Sequence, residues 1–461
     1  MSPFVFVVGG GGCSHLSVLL SSVMSAFFFF SIIDFFPITR AFDPMDPNGN
    51  ITIKWDFQQF RSDGYTVMIS IHNYQLYRHI ESPGWKLRWT WRGEEVIWDA
   101  RGAEASEQGN CSKFVGDVPH CCEKSPAMVD LLPSAPYNMQ TRNCCRGGAL
   151  TSLVQDPLNS QASFQMSVGS ALNASDAATA MPYNFNIGVR GYTCSNASAV
   201  PPTKFSGDGG RRTTQALLTW QVTCSYSQFR ESMAPKCCVS LSTFYNDTIT
   251  PCPSCSCGCQ GAPKSPKCLE DGENIPTMPP RLQRADGVDP RHDVVKCTMH
   301  LCPIRVHWHL KESYKGYWRV KITINNFNML KNYSDWTLVV QHPNLQSLTQ
   351  VFSFNYKPLG HYGHANDAGV FWGIKYYNEM LLQEGELGNV QSEMLLQKDP
   401  NIFTFRGGWP FPRKISFNGR ECVMPTPDKY PALPRGSSAP PPLRLLSQLS
   451  FLSLIIVFLF F

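Results

Sequence analysis

The sequence predicts a mainly β protein with two antiparallel, β-sandwich-like domains that a cysteine-rich connector joins. Apolar and polar residues alternate in many short segments, which is the period of a strand with one buried face. These segments form two groups, and the stretch between them is rich in Cys, Pro and Gly. The formal net charge is only +5, from 40 basic and 35 acidic residues, which does not indicate a nucleic-acid partner.

Residues 1–41 are interpreted as a signal peptide that is removed during export. The apolar run in this segment is interrupted by serines and by Asp34, and it ends at Thr39-Arg40-Ala41. Small residues therefore occupy the two positions that a signal peptidase recognises. The alternative is a retained membrane anchor, which needs about 20 unbroken apolar residues. This run does not supply them.

The N-terminal domain is expected to span residues 42–245. Its clearest predicted strands are NITIKWDF (50–57), YTVMISIHNY (65–74), WKLRWTW (85–91), FQMSVGS (164–170) and LLTWQVTCSY (217–226). Aromatic and β-branched residues fill their alternating apolar positions, which is typical of half-buried strands. Several short strands separated by turn residues favour a sandwich.

Residues 246–296 are expected to form a cysteine-stapled connector and then a flexible linker, and residues 297–425 a smaller C-terminal β domain. Predicted strands of the second domain are YWRVKITINNF (317–327), WTLVVQH (336–342), VFSFNY (351–356) and FTFRGGWPFPRKISFNG (403–419). The stretch 374–397 alone has a mildly helical composition.

The C-terminal end has the three parts of a glycosylphosphatidylinositol (GPI) attachment signal. A proline-rich stalk over 426–437 leads into small residues, a polar-to-mixed spacer and the terminal apolar run LSFLSLIIVFLFF. We expect attachment at Ser437, with Gly436 and Ser438 as alternatives, and removal of residues 438–461. The other interpretation, a tail-anchored helix, needs a longer apolar span.

The chain has 18 cysteines, of which Cys13 lies in the predicted signal peptide. The motif cysteines are Cys237, Cys238, Cys252, Cys255, Cys257 and Cys259. Their spacing could bind zinc in a cytosolic protein, whereas an exported chain favours disulfides. Adjacent cysteines are expected to bond to other segments rather than to each other, because a bond between neighbours is strained. The remaining odd number predicts one free thiol or one intermolecular bond.

Six N-x-S/T sequons predict N-glycosylation of an exported chain. The acceptors are Asn50, Asn110, Asn173, Asn196, Asn246 and Asn332.

Long segments of the chain resemble the COBRA-like family of plant GPI-anchored proteins, from about residue 42 to residue 437. The segments are FDPMDPNGNITIKWDF, GWKLRWTWRGEEVIW, PHCCEKSPAMVDLLPSAPYN, the CCVS at 237–240, CPIRVHWHLKESYKGYWRVKITINNFN and NGRECVMP. The resemblance implies a non-enzymatic protein of the outer plasma-membrane leaflet and cell wall that promotes cellulose deposition, microfibril orientation and crystallinity. It also implies an N-terminal domain similar to a carbohydrate-binding module, and no cofactor or metal.

Cellulose or β-glucan chains are therefore the expected partner, together with the membrane through the GPI lipid. Aromatic rings stack on sugar rings, and the candidate contacts are Trp55, Tyr65, Trp85, Trp89, Trp91 and Trp98. The competing interpretation places these side chains in the core. If the Leu87 face is buried, Tyr74, Tyr77 or Trp98 are the candidates instead. The alternative function is an outer-leaflet scaffold that recruits cellulose-synthase complexes through the C-terminal domain without binding glucan.

Two enzymatic or metal-binding interpretations are disfavoured. Glu94, Glu95 and Asp99 could suggest a glycosidase, but neighbouring Glu94 and Glu95 would project to opposite faces of a strand, while hydrolysis needs two carboxyls flanking one bond. The histidine pairs lack a metal-site motif, which favours satisfied strand or loop histidines. Those pairs are His307 with His309 and His361 with His364.

Overall fold

The computed structural model describes residues 43, 45–169, 180–207, 211–231, 235–243, 256–259, 267–270, 272–273, 294–298, 301–329, 331–333, 335–359, 367–379, 381, 388–399 and 410–431. The predicted signal peptide, Ser437 with the attachment propeptide, Cys252, Cys255, Asn173, Asn246, His361 and His364 lie outside these residues. Within the described residues, no helix is long and apolar enough to cross a membrane.

The N-terminal part is built from a seven-stranded and a four-stranded antiparallel sheet. The larger sheet has the order β10-β13-β1-β2-β7-β4, with β9 also on β13; its strands are β1 Ile51–Phe60, β2 Gly64–Asn73, β4 Val96–Arg101, β7 Gln161–Gly169, β9 Tyr192–Cys194, β10 Ser198–Val200 and β13 Leu218–Tyr226. The smaller sheet, in the order β5-β6-β3-β8, comprises β3 Lys86–Thr90, β5 Ala103–Ala105, β6 Ala127–Asp130 and β8 Tyr183–Asn186. A separate ribbon pairs β11 Lys204–Gly207 with β12 Arg212–Gln215.

The C-terminal part has a six-stranded and a five-stranded sheet. The first has the order β15-β14-β18-β19-β24-β21 and consists of β14 Cys237–Thr243, β15 Ser256–Cys257, β18 Ile304–Ser313, β19 Tyr317–Asn326, β21 Leu348–Val351 and β24 Asn389–Gln397. The second has the order β22-β23-β20-β25-β26, from β20 Thr337–Gln341, β22 Phe354–Pro358, β23 Ala368–Gly373, β25 Lys414–Phe417 and β26 Arg420–Glu421. A ribbon pairs β16 Lys267–Leu269 with β17 Val294–Lys296, and the helix α1 spans Lys375–Glu379. Short 3₁₀ turns occupy Tyr137–Met139, Gln228–Arg230, Leu345–Ser347 and Pro427–Lys429.

The predicted mainly β fold with antiparallel sheets is confirmed. Two strand pairs, β14 with β18 and β16 with β17, are parallel, and each needs a long crossover connection. The strand β14 falls inside the range predicted for the N-terminal domain, yet it pairs with β18 and packs its side chains into the C-terminal core. The predicted boundary at residue 245 therefore comes after the first strand of the second domain.

The mildly helical stretch 374–397 is mostly not helical among its described residues. Only Lys375–Glu379 forms a helix, and Asn389–Gln397 forms β24. In β24 the residues Val390, Ser392, Met394 and Leu396 are buried on one face. Period-two burial against the core outweighs the weak helix propensity of these residues.

Tryptophans dominate the N-terminal core. Trp55 on β1 lies 5.0 Å from Trp89 and 5.8 Å from Trp220, measured between ring centroids. Trp91 is 5.3 Å from Trp89 in an edge-to-face arrangement, the geometry that aromatic rings prefer. The cluster fills the space between the two sheets of the N-terminal part.

A second set of contacts joins the N-terminal and C-terminal parts. The buried Tyr77 packs with Val339 and Val370 of the five-stranded sheet, and the Thr337 hydroxyl donates a hydrogen bond to the Tyr77 carbonyl at 2.9 Å. Charged groups continue this junction, because Lys331 forms an ion pair with Glu81 and the Asn418 amide donates to the same carboxylate. The two parts therefore share a packed, hydrogen-bonded interface.

Six disulfides lie among the described residues: Cys111–Cys122, Cys144–Cys145, Cys194–Cys224, Cys237–Cys422, Cys259–Cys302 and Cys268–Cys297. The expectation that adjacent cysteines avoid each other is wrong at Cys144–Cys145. The local turn permits this bond, because Cys145 takes a φ of 72° and the Asp130 carboxylate accepts the Cys145 and Arg146 amide N–H groups. Cys122 and Cys237 bond to other segments as expected, but their neighbours Cys121 and Cys238 are free thiols. With Cys257, three free thiols lie among the described residues, so the prediction of a single free thiol is wrong.

Replacing Glu81 with Gln is expected to destabilise the fold by about 3 kcal/mol, because it leaves the largely buried Lys331 ammonium without its carboxylate. Burial opposes ionisation of Glu81, but Lys331 outweighs it, so the pKa of Glu81 is lowered. A lowered folded-state pKa stabilises the protein above the ordinary carboxyl pKa, and the contribution is lost as pH falls through the lowered value. Urea unfolding at neutral pH measures the effect.

Glu421→Gln is the matched control, because Glu421 forms an exposed ion pair with Lys414 at 3.3 Å. Its loss should cost no more than about 1 kcal/mol. Equal unfolding midpoints for the two variants would contradict a stabilising role of Glu81 at the junction.

Candidate functional site

The outer face of the seven-stranded sheet is mostly polar, although Thr52 and Asp56 on it are buried. Alternation along β2 and β7 turns apolar side chains inward and polar ones outward. The strand register sets the outward residues in rows across β1, β2 and β7: Thr52–His72–Gln161, Lys54–Ser70–Ser163 and Asp56–Met68–Gln165. Hydroxyl, amide and imidazole groups therefore cover the middle of the sheet.

Trp98 lies at one end of this surface. It sits on β4, where a register shift between Ile97 and Asp99 turns it out of the core, and 40% of its surface is exposed. A Cβ placed on Gly169 would lie 2.4 Å from Trp98 Nε1, so the absence of a side chain at Gly169 lets the indole lie across β7. Phe114 supports the ring edge-to-face at 5.3 Å.

Tyr74 lies at the other end, directly after β2. Its ring stacks on the His72 imidazole with a centroid distance of 5.7 Å and an interplanar angle of 13°, and 42% of its surface is exposed. Gly64, at the start of β2, pairs with Gly169 beneath Trp98. The ten residues of β2 thus separate the pair Trp98–Phe114 from the pair His72–Tyr74 by about 30 Å.

Most polar groups on this face are uncharged. The Gln165 amide donates to Gln58 Oε1 at 2.7 Å. Burial lowers the pKa of His72, and Lys54 lowers it further, so the imidazole is neutral at pH 7 and offers one donor and one acceptor. A flat array of this kind, with an aromatic ring at each end, is suited to an extended polyhydroxylated ligand.

Five of the six predicted aromatic contacts are not on this surface. Trp55, Tyr65, Trp85, Trp89 and Trp91 are buried in the core, each with at most 2% of its surface exposed. Trp85, Trp89 and Trp91 lie on the same buried face as Leu87, while Trp55 on β1 and Tyr65 on β2 point into the same core, where apolar area is removed from water. Of the fallback candidates, Tyr77 is buried at the junction between the two parts, while Tyr74 and Trp98 are exposed.

The polar residues of β2 and β7 were missed as candidates. The signal was present in YTVMISIHNY and FQMSVGS, because strict alternation assigns Thr66, Ser70 and Gln165 to the face opposite the core. Tertiary packing decides which of the two faces is exposed to solvent and has Trp98 and Tyr74 at its ends.

The carboxylates near these tryptophans do not form a pair. Glu94 is exposed and lies 3.6 Å from the Lys113 ammonium, whereas Glu95 is buried and accepts the Gly93 amide N–H at 2.8 Å. Asp99 pairs with Arg101 at 3.4 Å. Each carboxylate is thus engaged locally in a different environment.

His307 and His309 are buried and hydrogen-bonded. The Ser242 hydroxyl lies 2.8 Å from His307 Nε2 and 2.6 Å from His309 Nδ1, and Ser240 Oγ lies 2.9 Å from His307 Nδ1. The interpretation as satisfied strand histidines is confirmed for this pair.

Of the motif cysteines, Cys237 and Cys259 are in disulfides, while Cys238 and Cys257 are buried free thiols, as is Cys121. In the described part of the chain, one group of three potential metal ligands lies within 4.8 Å, namely Cys238, Cys259 and Cys302. Two of them are bonded to each other, so the group offers one thiol. Burial raises the pKa of that Cys238 thiol to about 12, and a protonated thiol is a poor metal ligand.

Three predicted glycosylation acceptors, Asn110, Asn196 and Asn332, are exposed. Asn50 is half-buried, and its amide donates to the Asn48 carbonyl at 2.9 Å.

Comparison with known proteins identifies both halves of the chain. The model of the COBRA N-terminal domain matches residues 65–227, and that of the COBRA family C-terminal domain matches residues 236–431. COBRA-like protein 1 of Oryza sativa subsp. japonica is 55% identical over 413 residues, which cover 89% of this chain and 91% of that protein. COBRA-like protein 6 of Arabidopsis thaliana is 54% identical, with 92% of both chains covered. Protein COBRA of Arabidopsis thaliana is 51% identical, covering 92% of this chain and 93% of its own.

Trp89→Ala should lower the free energy of unfolding by about 3–5 kcal/mol, because it removes a fully buried indole and leaves a cavity. Trp98→Ala, at the partly exposed site, should cost less than about 1.5 kcal/mol. Urea denaturation of the two variants measures both values. Similar losses would contradict the assignment of Trp89 to the core and Trp98 to the surface.

Proposed function

The chain belongs to the COBRA family of plants, and on that premise we propose that it is a non-enzymatic cell-surface protein that binds cellulose. Its outer N-terminal sheet face would contact β-glucan chains, and a GPI lipid would hold it at the outer leaflet of the plasma membrane and in the wall. By binding chains as they leave the membrane, it would promote their deposition, orientation and crystalline packing.

The observation that supports glucan binding is the polar sheet face with an aromatic ring at each end. Sugar rings in β-glucan present flat CH-rich faces that stack on aromatic side chains, while their equatorial hydroxyls suit the serine, threonine and amide groups of β2 and β7. A surface about 30 Å long accommodates several successive sugars of a straight chain.

Two observations favour binding over hydrolysis. Glu94 and Glu95 differ in burial and are bound to different partners, whereas glycoside hydrolysis needs two carboxyls that flank one bond. The polar face itself carries Asp56, which is buried and accepts the Thr219 hydroxyl at 2.6 Å. A second carboxylate on this face, Asp99, lies on β4, three strands from Asp56 on β1 and therefore about 14 Å away. That separation exceeds the spacing of the carboxyl pair that hydrolysis needs.

The double variant Trp98→Ala/Tyr74→Ala should lower retention on insoluble cellulose at least tenfold, because both stacking platforms are lost (about 1.4 kcal/mol of binding free energy). Sedimentation of the mature chain, residues 42–437, with microcrystalline and amorphous cellulose measures this. Tyr183→Ala is the matched control, since Tyr183 is 36% exposed in the same part of the chain but lies on β8 of the four-stranded sheet, on the other side of the core.

Retention of the double variant equal to that of Tyr183→Ala would remove this face from the site. If the wild-type chain does not sediment but co-purifies with cellulose-synthase complexes from membranes, the scaffold alternative would replace direct glucan binding. Release of reducing sugars by the purified chain would overturn the non-enzymatic assignment.

Anchoring is tested separately by phosphatidylinositol-specific phospholipase C on intact cells. The wild-type chain should be released, because the lipid alone would hold it. Replacing Gly436, Ser437 and Ser438 together with bulky Gln residues should abolish release, while Gln at Ser447, inside the predicted propeptide, should not. Failure to release the wild-type chain would contradict the GPI anchor.

A further inference from the structure

A cleft of about 600 Å³ opens on the C-terminal part of the chain, away from the N-terminal sheet face. This volume lies within the range typical of ligand sites. Residues of β19, of the segment after β21, of α1 and of β24 line it, among them Arg319, Lys321, Phe352, Tyr376, Gln391 and Glu393.

The floor of the cleft is a fixed group of charges. Lys321 lies opposite Glu393 in the register of β19 and β24. The Glu393 carboxylate accepts from the Lys311 ammonium at 2.7 Å and from the Arg319 guanidinium at 2.5 Å. Burial opposes ionisation of Glu393, but the hydrogen bond and charge of Lys311 lower its pKa. The floor therefore keeps a charged acceptor and several charged donors side by side without rearrangement.

Neutral polar groups continue the floor along β24. Gln391 is exposed, and its side-chain amide makes no hydrogen bond to the described residues. The Ser392 hydroxyl, on the opposite and buried face of β24, accepts the Ser353 amide N–H at 3.1 Å, which ties the segment after β21 to this strand. Asn389 and Gln391 give the cleft both donors and acceptors within one strand length.

Aromatic rings form the walls. Phe352, in the bend between β21 and β22, is 50% exposed, and Tyr376 on α1 is 68% exposed. The Arg319 guanidinium lies 5.6 Å from the centroid of the Phe352 ring, and Tyr376 meets Tyr377 edge-to-face at 5.5 Å. These contacts hold the rings in place while leaving much of their surface open to a ligand.

We propose that this cleft binds a single chain of a neutral, pyranose-based oligosaccharide. The aromatic walls suit the CH faces of sugar rings, and a carboxylate beside cationic donors can bind neighbouring hydroxyl groups as acceptor and donor at once. Because Glu393 is already paired with Lys311 and Arg319, these groups can hydrogen-bond the neutral hydroxyls of a sugar without an added carboxylate. Being concave, the cleft fits one free chain rather than the surface of a crystal. With the N-terminal face, the protein would hold two glycan segments and gain avidity.

The test uses the mature chain carrying Trp98→Ala and Tyr74→Ala, so that the N-terminal face does not contribute. Isothermal titration with cellohexaose, xylohexaose and mannohexaose should detect binding of at least one of them. Adding Phe352→Ala and Tyr376→Ala should weaken that affinity at least tenfold. Tyr314→Ala in the same background is the matched control, because Tyr314 is similarly exposed in the same part of the chain but does not line the cleft.

Absence of binding by all three probes would overturn the proposal, as would equal affinity of the Phe352/Tyr376 and Tyr314 variants. Tighter binding of an oligogalacturonide of the same length would overturn the neutral class of ligand. Cellulose binding by the N-terminal face is measured separately, by sedimentation of the Trp98→Ala/Tyr74→Ala variant with insoluble cellulose. Failure of the cleft and failure of the proposed cellulose-binding face are therefore distinguishable.

Discussion

The burial of tryptophan between facing sheets is the constraint on which the rest of this structure depends. Trp55, Trp89 and Trp220 come from three different strands, β1, β3 and β13, and meet in one cluster. They can be buried together only in one strand register, since a slip of one residue would turn each indole to solvent. The indole N–H groups of Trp55 and Trp89 have no hydrogen-bond partner among the described residues. That costs about 1–3 kcal/mol each, which the apolar area of a buried indole, worth roughly 4–6 kcal/mol, outweighs.

The same burial decides where ligands can bind. With their inner faces filled by aromatic side chains, the sheets leave only outer faces, edges and clefts for recognition. On the N-terminal outer face, the polar partners of the alternating pattern form the surface, and the register shift in β4 delivers Trp98 to its edge. On the C-terminal part, outward residues of β19 and β24 line a cleft together with Phe352 after β21 and with Tyr376 and Tyr377 of α1. Both surfaces combine rigid hydrogen-bonding strands with aromatic rings at the margin.

A packed junction connects the two parts of the chain that carry these surfaces. Tyr77 is buried against Val339 and Val370, and Glu81 and Lys331 close the contact with opposite charges. Two disulfides, Cys259–Cys302 and Cys268–Cys297, bond described residues of the predicted connector 246–296 to the chain around β17 and β18. A third, Cys237–Cys422, bonds β14 to the end of the C-terminal part. These disulfides stabilise the C-terminal part, while the packed and charged contacts of the junction connect it to the N-terminal part.

The sequence by itself determined the fold class, the positions of most long strands and the family, because period-two alternation and extended motifs are local properties of the chain. It also placed Trp98 and Tyr74 among the candidates. Only the tertiary structure decided that Trp85, Trp89 and Trp91 are core residues, that β14 belongs to the C-terminal sheet and that Cys144 bonds to Cys145. Alternation shows that a strand has two different faces, but it does not show which face another sheet will cover. That choice is made by contacts between residues far apart in the chain, and the same contacts decide which aromatic rings remain free to meet a ligand.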